Sequence, residues 1–126
     1  MSARKILIID DSDSIRMTLK LTLEFGGYEV DEAADGLEGL DRIKDGAYDL
    51  VLCDLAMPGL AGIDVIRKVR SERQTATLPI VVLSAEERKM KDRALTAGAN
   101  DCIDKPFAPQ QVFDVVEKLL GGKSAT

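Results

Sequence analysis

The chain contains no histidine, and that single absence removes Ser-His-Asp and Cys-His nucleophile activation, HExxH zinc sites and imidazole general bases together. Any chemistry must rest on carboxylates, hydroxyls and lysine. Cysteine is scarce: Cys53 and Cys102 are the two in the chain. No CxxC joins them, and each lies in an apolar run where a free thiol behaves as a small buried hydrophobe. Tryptophan is absent and tyrosine occurs twice, which leaves little to stack an isoalloxazine. The first loop is acidic where a flavin phosphate wants glycine, threonine and backbone N–H groups. No GxxxxGK phosphate loop occurs. No apolar run approaches the ~20 residues of a bilayer span, and MSARKILIID passes from basic residues through a strand-like run to acid without a small-residue cleavage site. No membrane partner is expected, and the cytoplasm is the expected compartment. Positive charge is also in deficit, with 17 Lys and Arg against 22 Asp and Glu for a net −5, so nucleic acid is not an expected partner.

What remains is an ordinary globular composition, 45% hydrophobic and 31% charged over 126 residues. That length predicts one domain over 1–126, with a core over about 4–121 and a frayed tail at 122–126, too short for a separate output module. Strand-like runs occur at Lys5–Ile9, Tyr28–Glu32, Asp49–Cys53, Pro79–Leu83 and, more weakly, Asp101–Ile103. The first, third and fourth are almost continuously apolar, as strands covered on both faces must be, while the second alternates like an edge. Helical patterns lie between them. Ile15, Leu19 and Leu23 mark the first, Leu37, Leu40 and Ile43 the second, and Ile63, Ile66 and Val69 the third. The fourth spans about Glu86 to Ala97, and the fifth starts near Pro109 with Val112, Val115, Val116 and Leu119 inward. Strict alternation with short connections predicts a doubly wound α/β fold, a five-stranded parallel sheet with five helices.

In such a sheet, ligands gather outside the carboxyl ends of the strands, where the strand order reverses. Asp10 and Asp11 follow the first strand, Asp54 the third, Ser84 the fourth, and Lys105-Pro106 the fifth. Taken singly each reads as structure: Asp10, Asp11, Ser12 or Ser84 as a helix cap, Lys105 as a solvated side chain. Together the three carboxylates would repel one another and raise their own pKa values unless a cation compensates. Oxygen donors without sulfur or imidazole suit Mg²⁺ rather than zinc.

The ordered set of Asp10-Asp11, Asp54-Leu-Ala-Met-Pro58 leading to Gly62, Ser84-Ala85, and Lys105-Pro106-Phe107 after Ala97-Gly98-Ala99 resembles the receiver domains of two-component response regulators, especially the stand-alone chemotaxis type. The resemblance implies a flavodoxin-like strand order of 2-1-3-4-5. It implies that Asp54 accepts a phosphoryl group from a histidine kinase or phosphotransfer protein. It further implies that Asp11, Asp54 and the backbone carbonyl of Ala56 bind Mg²⁺, with Asp10 acting through water. Lys105 would neutralise the phosphoryl oxygens, and Ser84 would bind the new group and draw its loop inward. The Lys105-Pro106 peptide would be cis. A target protein would dock on the face of the fourth helix, fifth strand and fifth helix, with Lys89, Lys91 and Gln111 as exposed candidates. Met57 reads as packing beside the site, and Pro58 and Gly59 as turn residues.

The chain departs from the family where Cys102 stands in place of the usual fifth-strand aromatic, which takes away the aromatic swing as a switch. Ala56 and Glu86 occupy the two positions that influence phosphoryl lifetime in the family. Two other readings remain open. Asp11-Ser-Asp13-Ser-Ile15 also resembles the DxDx motif of haloacid-dehalogenase phosphatases, which would make Asp11 the nucleophile. Alternatively, a receiver of this kind can serve as a phosphate sink or relay intermediate.

Overall fold

The computed structural model describes residues 3–57, 59–85 and 88–121. Five strands, β1 (Lys5–Ile9), β2 (Glu29–Ala33), β3 (Leu50–Asp54), β4 (Ile80–Ser84) and β5 (Asp101–Asp104), alternate with five α-helices. These are α1 (Asp13–Phe25), α2 (Gly36–Asp45), α3 (Gly62–Ser71), α4 (Arg88–Ala97) and α5 (Pro109–Leu119). All strand pairs are parallel, and the order is β2-β1-β3-β4-β5. The expected fold and strand order are therefore present. Position 86, expected to open α4, lies outside the described residues, as do Pro58 and the 122–126 tail.

Alternation along the central strands divides the core into two layers. Leu7, Ile9, Val51, Cys53, Ile80 and Val82 face α2, α3 and α4, where Ile43, Ile63, Ile66, Val69 and Ala94 cover them. Ile6, Ile8, Leu50, Leu52, Val81 and Leu83 face α1 and α5, covered by Leu19, Leu23, Val112 and Val116. Because both faces are buried, β3 and β4 show no exposed position. Cys53 and Cys102 are both free thiols, in register across Val82 on the intervening strand. At ~4.8 Å per strand their backbones are about 10 Å apart, too far for a disulfide.

Two expectations are corrected. β2, β3 and β4 each lie one residue later than the expected runs and β5 ends one residue later, because Ala33, Asp54, Ser84 and Asp104 still pair with the neighbouring strand. The ladder is a backbone property, so a polar side chain does not end it. On α2, Leu37 is 65% exposed, whereas Gly36, Gly39 and Ile43 are buried. A Cβ on Gly39 would lie 2.4 Å from Ile9 Cδ1, so the glycine side of α2 lies against the sheet. Leu37, about 100° round the helix from Gly36, is turned outward.

Candidate functional site

The polar side chains at the carboxyl edge of the sheet are buried to an unusual degree. Asp10 is 0% exposed, Asp54 4% and Ser84 1%, the buried polar residues among those described. Each is held there by the sheet. The Asp10 amide donates to the Ala33 carbonyl at 3.1 Å, and the Ser84 carbonyl accepts from the Lys105 amide at 2.8 Å. Asp54 is the last residue of β3 and pairs with Leu83. Behind it runs the start of α3, so close that a Cβ on Gly62 would come within 2.4 Å of the Asp54 carbonyl oxygen. Glycine at 62 is what lets the helix begin against the acid.

Lys105 reaches in after β5, its Nζ 3.2 Å from Asp10 Oδ2 and 3.3 Å from Asp54 Oδ2. The peptide that follows it, Lys105-Pro106, is cis, as expected. The remaining oxygens are partly satisfied by backbone: the Ser12 amide donates to Asp10 Oδ1 at 2.9 Å, and the Ala56 amide to Asp54 Oδ1 at 3.2 Å. One lysine is thus shared by two buried carboxylates. Burial, and then the charge of Asp10, push the Asp54 carboxyl above its ordinary range, with Lys105 and the Ala56 amide only partly opposing them. Burial works to lower the Lys105 ammonium, but Asp10 and Asp54 together hold it above its usual value.

The exposed Asp11 completes a triad, since Asp10, Asp11 and Asp54 each offer a carboxylate oxygen within 4.8 Å of the others. Three hard anionic donors with one ammonium leave an excess of negative charge, and an all-oxygen set fits Mg²⁺. Ala56 lies beside Asp54 through its amide. Met57 is buried in the core layer under α2, α3 and α4. Cys102 is half-buried against the same layer, and burial first pushes its thiol up, so it stays neutral. Lys89 and Gln111 are exposed. Lys91 is less exposed than expected: its side chain is 25% exposed, with Nζ 2.5 Å from Asp104 Oδ1.

One residue at this edge escaped the sequence reading. Arg16 on α1 donates from Nη1 to the Asp10 carbonyl at 2.6 Å and from Nε to Glu32 Oε1 at 3.1 Å. The signal was its position. Arg16 precedes Leu19 and Leu23 by three and seven residues, which places it on the buried stripe of α1, where a guanidinium must find partners.

The model of the response regulator receiver domain matches residues 6–117. The chain belongs to this family. It is 41% identical over 123 residues to the transcriptional regulatory protein ResD of Bacillus subtilis, an alignment covering 97% of this chain and 50% of ResD. The chain spans about half the length of the curated relatives it matches. Chemotaxis protein CheY4 of Vibrio cholerae superposes with a TM-score of 0.89 at 33% identity, over 94% of this chain and 99% of CheY4. The response regulator TrrA of Thermotoga maritima, solved in complex with Mg²⁺-BeF, gives a TM-score of 0.82 at 34% identity over 92% and 98% of the two chains. Among the described residues of this receiver domain, no helix is long and apolar enough to cross a membrane.

Proposed function

We propose that this receiver domain accepts a phosphoryl group on Asp54 from a phosphohistidine of a histidine kinase or phosphotransfer protein. The reaction is Mg²⁺-dependent, takes place in the cytoplasm, and signals through docking of a target protein. The observation that carries this reading is the Lys105 ammonium bridging Asp10 and Asp54 inside a carboxylate triad. The site has an excess of negative charge beside a cation; a divalent ion would offset that excess and, with Lys105, compensate the charge of an incoming phosphoryl group.

In the transfer, an Asp54 carboxylate oxygen forms a bond to phosphorus while the P–N bond of the donor breaks. Its electron pair returns to the imidazole, which takes up a proton. The donor ring belongs to the partner, since this chain has no histidine. Asp10, Asp11, Asp54 and the Ala56 carbonyl would hold Mg²⁺, which when bound offsets the negative charge of the phosphoryl oxygens. Lys105 contributes a compact positive charge to the same oxygens, and the Ser84 hydroxyl, at the end of the neighbouring strand β4, would bind the acquired group. The product is a covalent signal rather than a released molecule, so the domain catalyses its own modification and is not a turnover enzyme. As a dehalogenase-like nucleophile Asp11 is the weaker candidate, because it is exposed and the lysine lies on Asp54 instead. Similarity to transcriptional regulators and to a chemotaxis protein supports a receiver in either kind of pathway.

Incubation with a small phosphodonor and Mg²⁺ is expected to add one acid-labile acyl phosphate, seen by mass spectrometry. Asp54→Asn should abolish it, a loss of at least ~10³-fold. Labelling that survives Asp54→Asn and disappears in Asp11→Asn overturns the proposal in favour of the phosphatase-like reading.

A further inference from the structure

We infer that Arg16 is a positioning residue for the metal site, holding the peptide between Asp10 and Asp11 so that the Asp11 carboxylate faces Asp54. The inference rests on the proposed Mg²⁺-dependent acceptor chemistry. Its support is the unequal way in which the two neighbouring acids are held.

Asp10 is fixed at every polar atom. Its amide donates to Ala33, its Oδ1 accepts from Ser12, its Oδ2 meets Lys105, and its carbonyl accepts from Arg16. The Asp11 carboxylate has none of this. It is exposed, and among the described residues it makes no hydrogen bond or ion pair. Its direction is therefore set by its backbone, and the peptide plane leading into that backbone carries the Asp10 carbonyl. A rotation of that plane would swing Asp11 away from the triad while leaving Asp10 and Lys105 in place.

Arg16 opposes the rotation because it is itself braced. Its side chain is 13% exposed, and its guanidinium joins three segments: the Asp10 carbonyl after β1, Glu32 on the edge strand β2, and Asp13 in the first turn of α1. Lys20 steadies the other oxygen of Glu32 at 3.6 Å. Two cations and two carboxylates make this cluster neutral, so Arg16 adds little net field at the triad. Its contribution is directional. A planar guanidinium can serve three acceptors at fixed angles, which an ammonium on a flexible stem cannot do.

Groups that orient metal ligands without touching the metal typically control affinity by 10–100-fold. The test is calorimetric titration of the metal-free chain with Mg²⁺ for wild type, Arg16→Ala and Arg16→Lys. Phosphorylation by a small donor is followed across Mg²⁺ concentration alongside. Both variants are expected to bind Mg²⁺ roughly 10-fold more weakly, with the half-saturating Mg²⁺ rising by the same factor and the rate at saturation close to wild type. Should Arg16→Ala fail to fold, Arg16→Lys carries the test, since it keeps the charge and most of the packing. Unchanged affinity in a folded variant overturns the inference, as does full recovery in Arg16→Lys, where charge alone would suffice. A wild-type chain that binds no Mg²⁺ overturns the functional reading first, and this inference with it.

Discussion

The two edges of the sheet use charged side chains in opposite ways. At the amino edge, Arg70 at the end of α3 is surrounded by neutral acceptors. It donates to the Gly98 carbonyl at 2.9 and 3.0 Å, to the Thr75 carbonyl at 3.2 Å and to Asn100 Oδ1 at 3.0 Å. Asn100 in turn accepts from the Ile80 amide at 2.8 Å. The Arg70 guanidinium ties α3, the end of α4 and the starts of β4 and β5 together through four hydrogen bonds. At the carboxyl edge, two buried carboxylates share a single lysine and an exposed third, Asp11, lies beside them without one. The amino edge spends its charge on stability, while the carboxyl edge keeps an imbalance that a ligand can relieve.

The largest effect on stability should therefore come from the amino edge. Arg70→Ala removes hydrogen bonds from a charged donor and takes the guanidinium from the Gly98 carbonyl, while the Thr75 carbonyl keeps the Leu78 amide; the loss costs about 2–4 kcal/mol. Its aliphatic stem also packs on Gly98, at a backbone φ of +126° that other residues rarely adopt. Urea unfolding measures the loss. A change below ~1 kcal/mol would mean that water replaces the guanidinium at little cost, and the contrast between the edges would fail.

The carboxyl edge should respond to metal rather than to truncation. An ion bound only by the native state stabilises it by about 2.7 kcal/mol at a hundred times its Kd. Calorimetric melts of the wild type with increasing Mg²⁺ should rise accordingly, and Asp11→Asn should lose most of that rise. A wild-type melting temperature indifferent to millimolar Mg²⁺ contradicts the reading of the triad.

Smaller still is the cost of the imbalance without metal. Folding raises the Asp54 carboxyl above its ordinary value of 3.8, by burial first and Asp10 second. Between 3.8 and the raised value the native state binds more protons than the unfolded chain, so stability falls as pH rises through that window. The cost is complete above it and absent below it. Asp54→Asn should therefore raise the metal-free melting temperature at pH 7 by a few degrees and leave it nearly unchanged below pH 4. A variant less stable than wild type at pH 7 would show that the Lys105 pair outweighs burial and the Asp10 charge.

The sequence disclosed these edges unequally. The strands were legible because both faces of β1, β3 and β4 are buried and leave continuous apolar runs. The acids were legible because the site of a doubly wound sheet lies just past those runs. Leu37 was misread because helical periodicity cannot register that Gly39 brings α2 within reach of Ile9. Arg16 and Arg70 were missed for a related reason. Their acceptors include main-chain carbonyls of other segments, and a carbonyl has no identity in a sequence. The departure at Cys102 was visible, but its consequence depends on what surrounds it.

That surrounding predicts the smallest effect, from Cys102 itself. An aromatic at this place could move ~150–250 Å² between buried and exposed positions, and a thiol carries far less. Cys102 is instead half-buried on β5, in register with Val82 and beside the Lys91–Asp104 ion pair that ties α4 to β5. On the proposed reading, Ser84, which ends β4 on the same buried edge as Asp54, binds the phosphoryl group carried by Asp54, and the expected response is in α4. One hydrogen bond to a charged group limits the shift between states to roughly 1–3 kcal/mol, so activation should be graded. Hydrogen exchange over 88–97, with and without a beryllofluoride mimic and Mg²⁺, reads that shift directly. Wild type and Cys102→Ala should change alike on adding the mimic, while Ser84→Ala should lose most of the change. The opposite pattern, a response lost in Cys102→Ala and kept in Ser84→Ala, would place the switch in the thiol and set the carboxyl edge apart from the motion of α4.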